Sequence, residues 1–189
     1  EAGGRPFKES ARRPETDLAL LRRRDLAARG VTNAEPFALV PIVDGALPDA
    51  LSGRQGAFRS HETNVWGAET DVQAISQWLS RYQGQTRRDY TRIAERFYLW
   101  CIHVRRKALS SLQEPDLQAY QAFLAAPPAD WVQERKVRRE DASWRPFRGP
   151  LGRNSQRHEF TVLGSMFSAM HEKGYLRANA MANLGRTLG

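Results

Sequence analysis

Cysteine is nearly absent from this 189-residue chain, with Cys101 the single instance. One cysteine excludes an internal disulfide framework and points to a reducing compartment. Long apolar runs are missing too, so no segment reaches membrane-spanning length. The opening residues, EAGGRPFKESARRPETD, lack the apolar stretch of a secretory signal. The histidines, His61, His103, His158 and His171, stand at no metal-ligand spacing with one another, with Cys101 or with a carboxylate. Neither a GxxxxGK[ST] or GxGxxG phosphate loop nor a GxSxG elbow occurs. Cys101 falls in a periodic apolar segment, where burial raises a thiol pKa and disables the nucleophile. The expectation is therefore no catalytic residue, no metal, no cofactor, no small-molecule substrate and no membrane partner.

Negative charge is the scarcer sign. Asp and Glu number 21 against 29 Lys and Arg, giving a net charge of +8 and a pI near 10.2. That balance points first to a polyanionic partner. The 41% hydrophobic content is sufficient for a real core.

Strand-like alternation and internal repeats are also missing. What is present is helical periodicity. Residues 1–14 are rich in Gly, Pro and charge and are expected to be mobile. ETDLALLRRRDLAARG (15–30) reads as a short helix with Leu18, Leu21 and Leu26 on one face and Gly30 as its cap. Residues 31–68, interrupted by Pro36, Pro41 and Pro48, are expected to form loops and short helical turns. From 69 the pattern sharpens. A Thr70-x-x-Gln73 capping box opens a helix carrying Val72, Ile75, Trp78 and Leu79, with Gly84 as its stop. A second helix over 86–107 has Thr86 as its cap. Its apolar face is Tyr90, Ile93, Phe97, Trp100, Cys101 and Val104, with Arg88 and Arg92 opposite. A third over 110–128 has Pro115 in its first turn and Leu117, Tyr120, Phe123 and Leu124 inward. A fourth over 155–174 starts at Ser155 and ends at Gly174. It buries Phe160, Leu163, Met166, Phe167 and Met170, while His158, Thr161 and Ser165 face away. The fold class expected is all-α.

From the third helix the chain runs through RKVRREDASWRPFRGPLGRNSQRHEF (135–160) into the start of the fourth. The window 131–158 holds eight cations, Arg135, Lys136, Arg138, Arg139, Arg145, Arg148, Arg153 and Arg157, against Glu134, Glu140 and Asp141. Guanidinium groups match phosphate oxygens bidentately. Trp144 and Phe147, stiffened by Pro146 and Pro150, either anchor the segment to the bundle or stack on exposed bases, and anchoring suits a duplex better. On that reading, removing 132–150 leaves the four helices folded. The starts of the second and fourth helices, QTRR and RNSQR, add unpaired N–H groups that favour phosphate.

These pieces, in order, resemble the N-terminal core-binding domain of tyrosine recombinases, the phage integrase family. The similarity runs through GQTRRDYTRIAERFYLWC, LSSLQEPDLQAYQAFL and SQRHEFTVLGSMFSAMHEKGYLRAN, about 60% of the chain. It departs from the family at Asn179-Ala180, where Asn-Pro is usual, in the intervening residues 127–153, and in the long leader 1–68.

The resemblance implies an orthogonal, SAM-like bundle of about four helices over 69–178. Residues 1–68 are then an extension, and 179–189 start a linker to a catalytic domain that these residues do not include. It implies duplex DNA as partner, further recombinase protomers on paired sites, and a nucleoid-associated place in the cytoplasm. A parent protein of this family cuts and rejoins DNA through a phosphotyrosine, supporting integration and recombination; this stretch alone binds without cutting. Carried onto this chain, the DNA contacts are Thr86, Arg87, Arg88, Arg92, Arg153, Asn154, Arg157, His158, Thr161 and Ser165, beside the basic segment's own arginines and Lys136. Two other readings of the residues stay open: a basic helical adaptor for acidic protein, and an RNA-binding module.

Overall fold

A computed structural model describes residues 47–182 except 140, 142 and 143. The helix expected over 15–30, the mobility expected of 1–14, the first part of the loops expected over 31–68 and the end of the linker lie outside the described residues. Within them every regular element is helical. The sheet-like pairings are two isolated bridges, Arg59 with Leu176 and Val132 with Phe147.

A single turn, α1 (Asp49–Ser52), precedes α2 (Asp71–Leu79). The Thr70 cap forms at the start of α2. Thr70 Oγ1 accepts from the N–H of Gln73 at 3.3 Å, and Gln73 Oε1 reaches back to the N–H of Glu69 at 2.8 Å. The first bond satisfies a donor that helix geometry leaves open, and the second ties down the residue before the cap.

Gly84 does not stop α2. The helix ends at Leu79, and Gly84, at φ +56°, opens α3 (Gly84–Trp100). The chain reverses there in a left-handed conformation that glycine adopts without steric penalty. Thr86 is consequently inside the first turn of α3 and not its cap; Gln83 holds that position without a side-chain bond.

Beyond Trp100 the helix widens into a π turn, Cys101–Arg105, closed by Arg106 at φ +54°. The wider turn shifts the helical phase. Val104, expected on the apolar face, is therefore 43% exposed, while Ile93, Phe97, Trp100 and Cys101 are buried as their spacing requires. Desolvation pushes the Cys101 thiol well above its ordinary range.

Helix α4 (Glu114–Ala125) begins with a reciprocal box between Gln113 and Asp116 and has Pro115 in its first turn. Helix α5 (Arg153–Glu172) starts two residues ahead of the expected Ser155 cap, after Gly152. It ends in a Schellman motif. Gly174 sits at φ +74°, its N–H bonds to the His171 carbonyl at 3.0 Å, and the Tyr175 N–H bonds to Met170 at 2.9 Å.

The core is aromatic. Trp78 of α2 stacks on Tyr90 of α3, 5.5 Å apart and nearly parallel. Phe97 of α3 meets Tyr120 of α4 edge-on at 4.8 Å and Phe167 of α5 at 6.0 Å. Helix α5 thus packs on α2, α3 and α4 together. Residues 58–60 are tied to the bundle: Ser60 N–H bonds to Tyr175 at 2.9 Å, and Arg177 N–H to Phe58 at 2.9 Å.

Candidate nucleic-acid interface

Two charged side chains that the core has to absorb lie beneath the candidate surface. Arg96 of α3 and Glu159 of α5 are both buried, and they pair directly, with Arg96 Nε 3.1 Å from Glu159 Oε1. The Tyr120 hydroxyl of α4 also donates to Glu159. One carboxylate therefore joins three helices. Burying an ion pair this deeply is tolerable only when its lone pairs and protons are satisfied. The pair also neutralises the seam between α3 and α5, so the charge left outside that seam is set by the exposed side chains.

A second contact fixes the other end of the seam. Partial desolvation raises the Tyr82 phenol. Hydrogen bonding to Ser165 and to Arg81, whose Nη2 lies 3.3 Å away, outweighs it and holds the group below its usual range. Ser165 is half-buried, less exposed than the other expected contacts on α5.

Around these two points the expected surface is open. Thr86, Arg87, Arg88 and Arg92 of α3 are exposed, as are Arg153, Asn154, Arg157, His158 and Thr161 of α5. Asn154, His158, Thr161 and Ser165 follow at steps of four, three and four, which aligns them in one stripe along α5. Arg88 and Arg92 form a matching row on α3. Arg88 holds Gln85 Oε1 at 3.1–3.2 Å, and Arg92 has a loose 3.5 Å contact with Asp89. Such exposed pairs hold their arginines weakly. Thr161 donates to the Arg157 carbonyl within its own helix at 2.9 Å, leaving its oxygen able to accept.

The basic segment divides into two sets. Phe147 is buried, 1% exposed, among Phe123, Trp131 and the guanidinium of Arg96, which sits 4.7 Å above its ring. Gln133 N–H bonds to Phe147 at 2.7 Å, and Leu151 N–H to Leu124 of α4 at 2.8 Å. Anchoring is thus the role of Phe147, and its burial argues against the expectation that removing 132–150 leaves the helices undisturbed. Trp144 is half-buried, with Arg139 5.9 Å from its ring.

Two of the expected phosphate ligands are engaged within the chain. Arg139 pairs with Glu95 of α3, their side chains 13% and 7% exposed. Arg145 is half-buried, its Nη1 donating to the Trp144 carbonyl at 2.8 Å. By contrast Arg135, Lys136, Arg138 and Arg148 are exposed. The first three line a shallow depression with Val137 and Asp141.

Periodicity missed Glu95, Arg96 and Glu159. The signal for Glu159 was available: it shares the helical phase of Leu163 and Met166, where a lone carboxylate has to find a cation. Its partner, on another helix, left no trace in local sequence.

Among the described residues no group of three His, Cys, Asp or Glu side chains is placed to hold a metal, and no helix is long and apolar enough to cross a membrane. No family model, curated protein or solved structure matches this chain.

Proposed function

We propose that the chain binds duplex DNA as the core-binding domain of a tyrosine recombinase, with α2–α5 arranged as an orthogonal, SAM-like bundle. The observation that carries this reading is the row of exposed arginines on α3, Arg88 and Arg92, beside the exposed stripe Asn154, His158 and Thr161 on α5. These lie along a seam whose own charges are internally paired. Arginines supply sequence-independent phosphate contacts, and amide, imidazole and hydroxyl groups are the types that address base edges.

The helix starts support the same partner. Neither α3 nor α5 has an acidic residue in its first turn or a side-chain cap. Their first N–H groups are left for solvent or an anion. Arg87 and Arg153 stand in those turns. Arg135, Lys136, Arg138 and Arg148 extend the cationic surface past the bundle.

In a parent protein of this kind the phosphotyrosine chemistry belongs to another domain, and further protomers assemble on paired sites. This chain contributes grip and register on the duplex at the nucleoid.

Titrating the chain with duplex DNA at several salt concentrations tests the reading. Affinity is expected to fall with salt, by about 0.9 log units per log unit of salt for each phosphate neutralised. Absence of binding at low salt, or a flat salt response, overturns it. Stronger binding to single-stranded or structured RNA at matched salt assigns the surface to RNA instead.

A further inference from the structure

Resting on the DNA-binding reading, we infer that Glu95 is a positioning residue for the interface: it holds the described residues of the basic segment, 132–139 and 144–150, as a strap across the outer flank of α3. Arg88, Arg92 and Glu95 follow one another at steps of four and three, so they occupy one flank of that helix. The first two are exposed, whereas Glu95 is buried under Arg139. The strap therefore crosses the arginine row at its C-terminal end.

Its second anchor is Phe147, buried beneath Arg96, the residue next to Glu95. Adjacent positions on α3 thus grip the strap at two points, Arg139 and Phe147. Beside these points, Arg135, Lys136 and Arg138 ahead of Arg139 and Arg148 after Phe147 stay exposed.

A carboxylate in a phosphate-binding surface ordinarily opposes the ligand. Here it takes Arg139 out of the ligand set. In exchange it fixes the backbone that carries the free cations, so that less side-chain and loop freedom is lost on binding.

The two roles predict opposite signs. Glu95→Gln removes a negative charge beside the interface. Through-space electrostatics alone makes that variant bind DNA more tightly. If Glu95 positions the strap, the variant binds more weakly, by roughly tenfold, equivalent to about 1.4 kcal/mol.

The experiment pairs DNA titration with limited trypsin digestion of the full chain, read by mass spectrometry at Arg135, Lys136 and Arg138. The expected result is faster cleavage at those positions in Glu95→Gln, with helical circular dichroism retained, together with weaker DNA binding. The exchanged pair, Glu95→Arg with Arg139→Glu, is expected to restore both protection and affinity; it also serves should the single variant fail to fold. Unchanged cleavage, tighter DNA binding by Glu95→Gln, or no rescue by the exchanged pair overturns the inference. If the native chain does not bind DNA, the proposed function fails, while strap protection still decides what Glu95 holds.

Discussion

The hydroxyl of Tyr175 donates a 2.8 Å hydrogen bond to Oδ1 of Asp71, joining the residue after Gly174, just past the end of α5, to the first residue of α2. The N–H of Ser110 reaches the other oxygen, Oδ2, at 3.2 Å. Asp71 is fully buried, and desolvation raises its pKa from 3.8 to about 6 despite these bonds. Folding therefore favours the protonated carboxyl. The stability this contributes is fully present below the unfolded pKa and is lost as pH rises through about 6. The stability difference between the native chain and Asp71→Asn should accordingly shift against the native chain between about pH 4 and 6. Urea denaturation across that range measures it, and a constant difference contradicts the assignment.

Glu159→Ala strands Arg96 and the Tyr120 hydroxyl together. Leaving one member of a buried pair uncompensated costs about 3–5 kcal/mol. Tyr120→Phe removes only one donor and is expected to cost about 1–2 kcal/mol. Chemical denaturation should rank the two in that order.

Arg88→Ala and Arg92→Ala touch exposed side chains, so stability should change by less than about 0.5 kcal/mol. Each phosphate contact removed should lower the salt slope of DNA binding by about 0.9. Loss of helical signal in either variant would show that the arginines support the fold instead.

Two glycines with positive φ separate backbone strain from collision. A Cβ on Gly53, φ +91°, meets Asp71 Oδ1 at 2.3 Å, whereas one on Gly84, φ +56°, meets nothing within 4 Å. Gly84→Ala is expected to cost about 1–2 kcal/mol from the left-handed conformation alone. Gly53→Ala should cost clearly more, because the Asp71 cluster has to move. Thermal melts of the two variants compare them.

Phe147→Ala is expected to cost about 3–5 kcal/mol, as for other buried aromatic truncations. Removing 132–150 also takes away the bond from Gln133 N–H to the Phe147 carbonyl and uncovers the guanidinium of Arg96. That deletion should destabilise the chain further than Phe147→Ala does. A deletion variant that unfolds at the native urea midpoint would show the segment to be dispensable.

Local pattern made much of the helical frame legible. Steps of three and four placed Ile93, Phe97 and Trp100 inward, and Thr70, Pro115 and Gly174 marked helix ends through bonds made within a few residues. The failures were local where local rules competed. Gly84 was read as a stop, but the left-handed turn it permits serves the following helix equally well. Val104 followed the α-helical period, and a π turn changed that period.

The candidate interface was legible only as a list of cations. Sequence by itself determined the all-helical class of the described residues, their aromatic core faces and the chain's excess of positive charge, because these follow from residue type and spacing along one helix. Tertiary structure decided which cations are available. Arg96 and Arg139 are consumed by Glu159 and Glu95, carboxylates 63 and 44 positions away, whereas Arg88 and Arg92 remain exposed. An ion pair between helices depends on distance in space, and no periodicity within either helix encodes it.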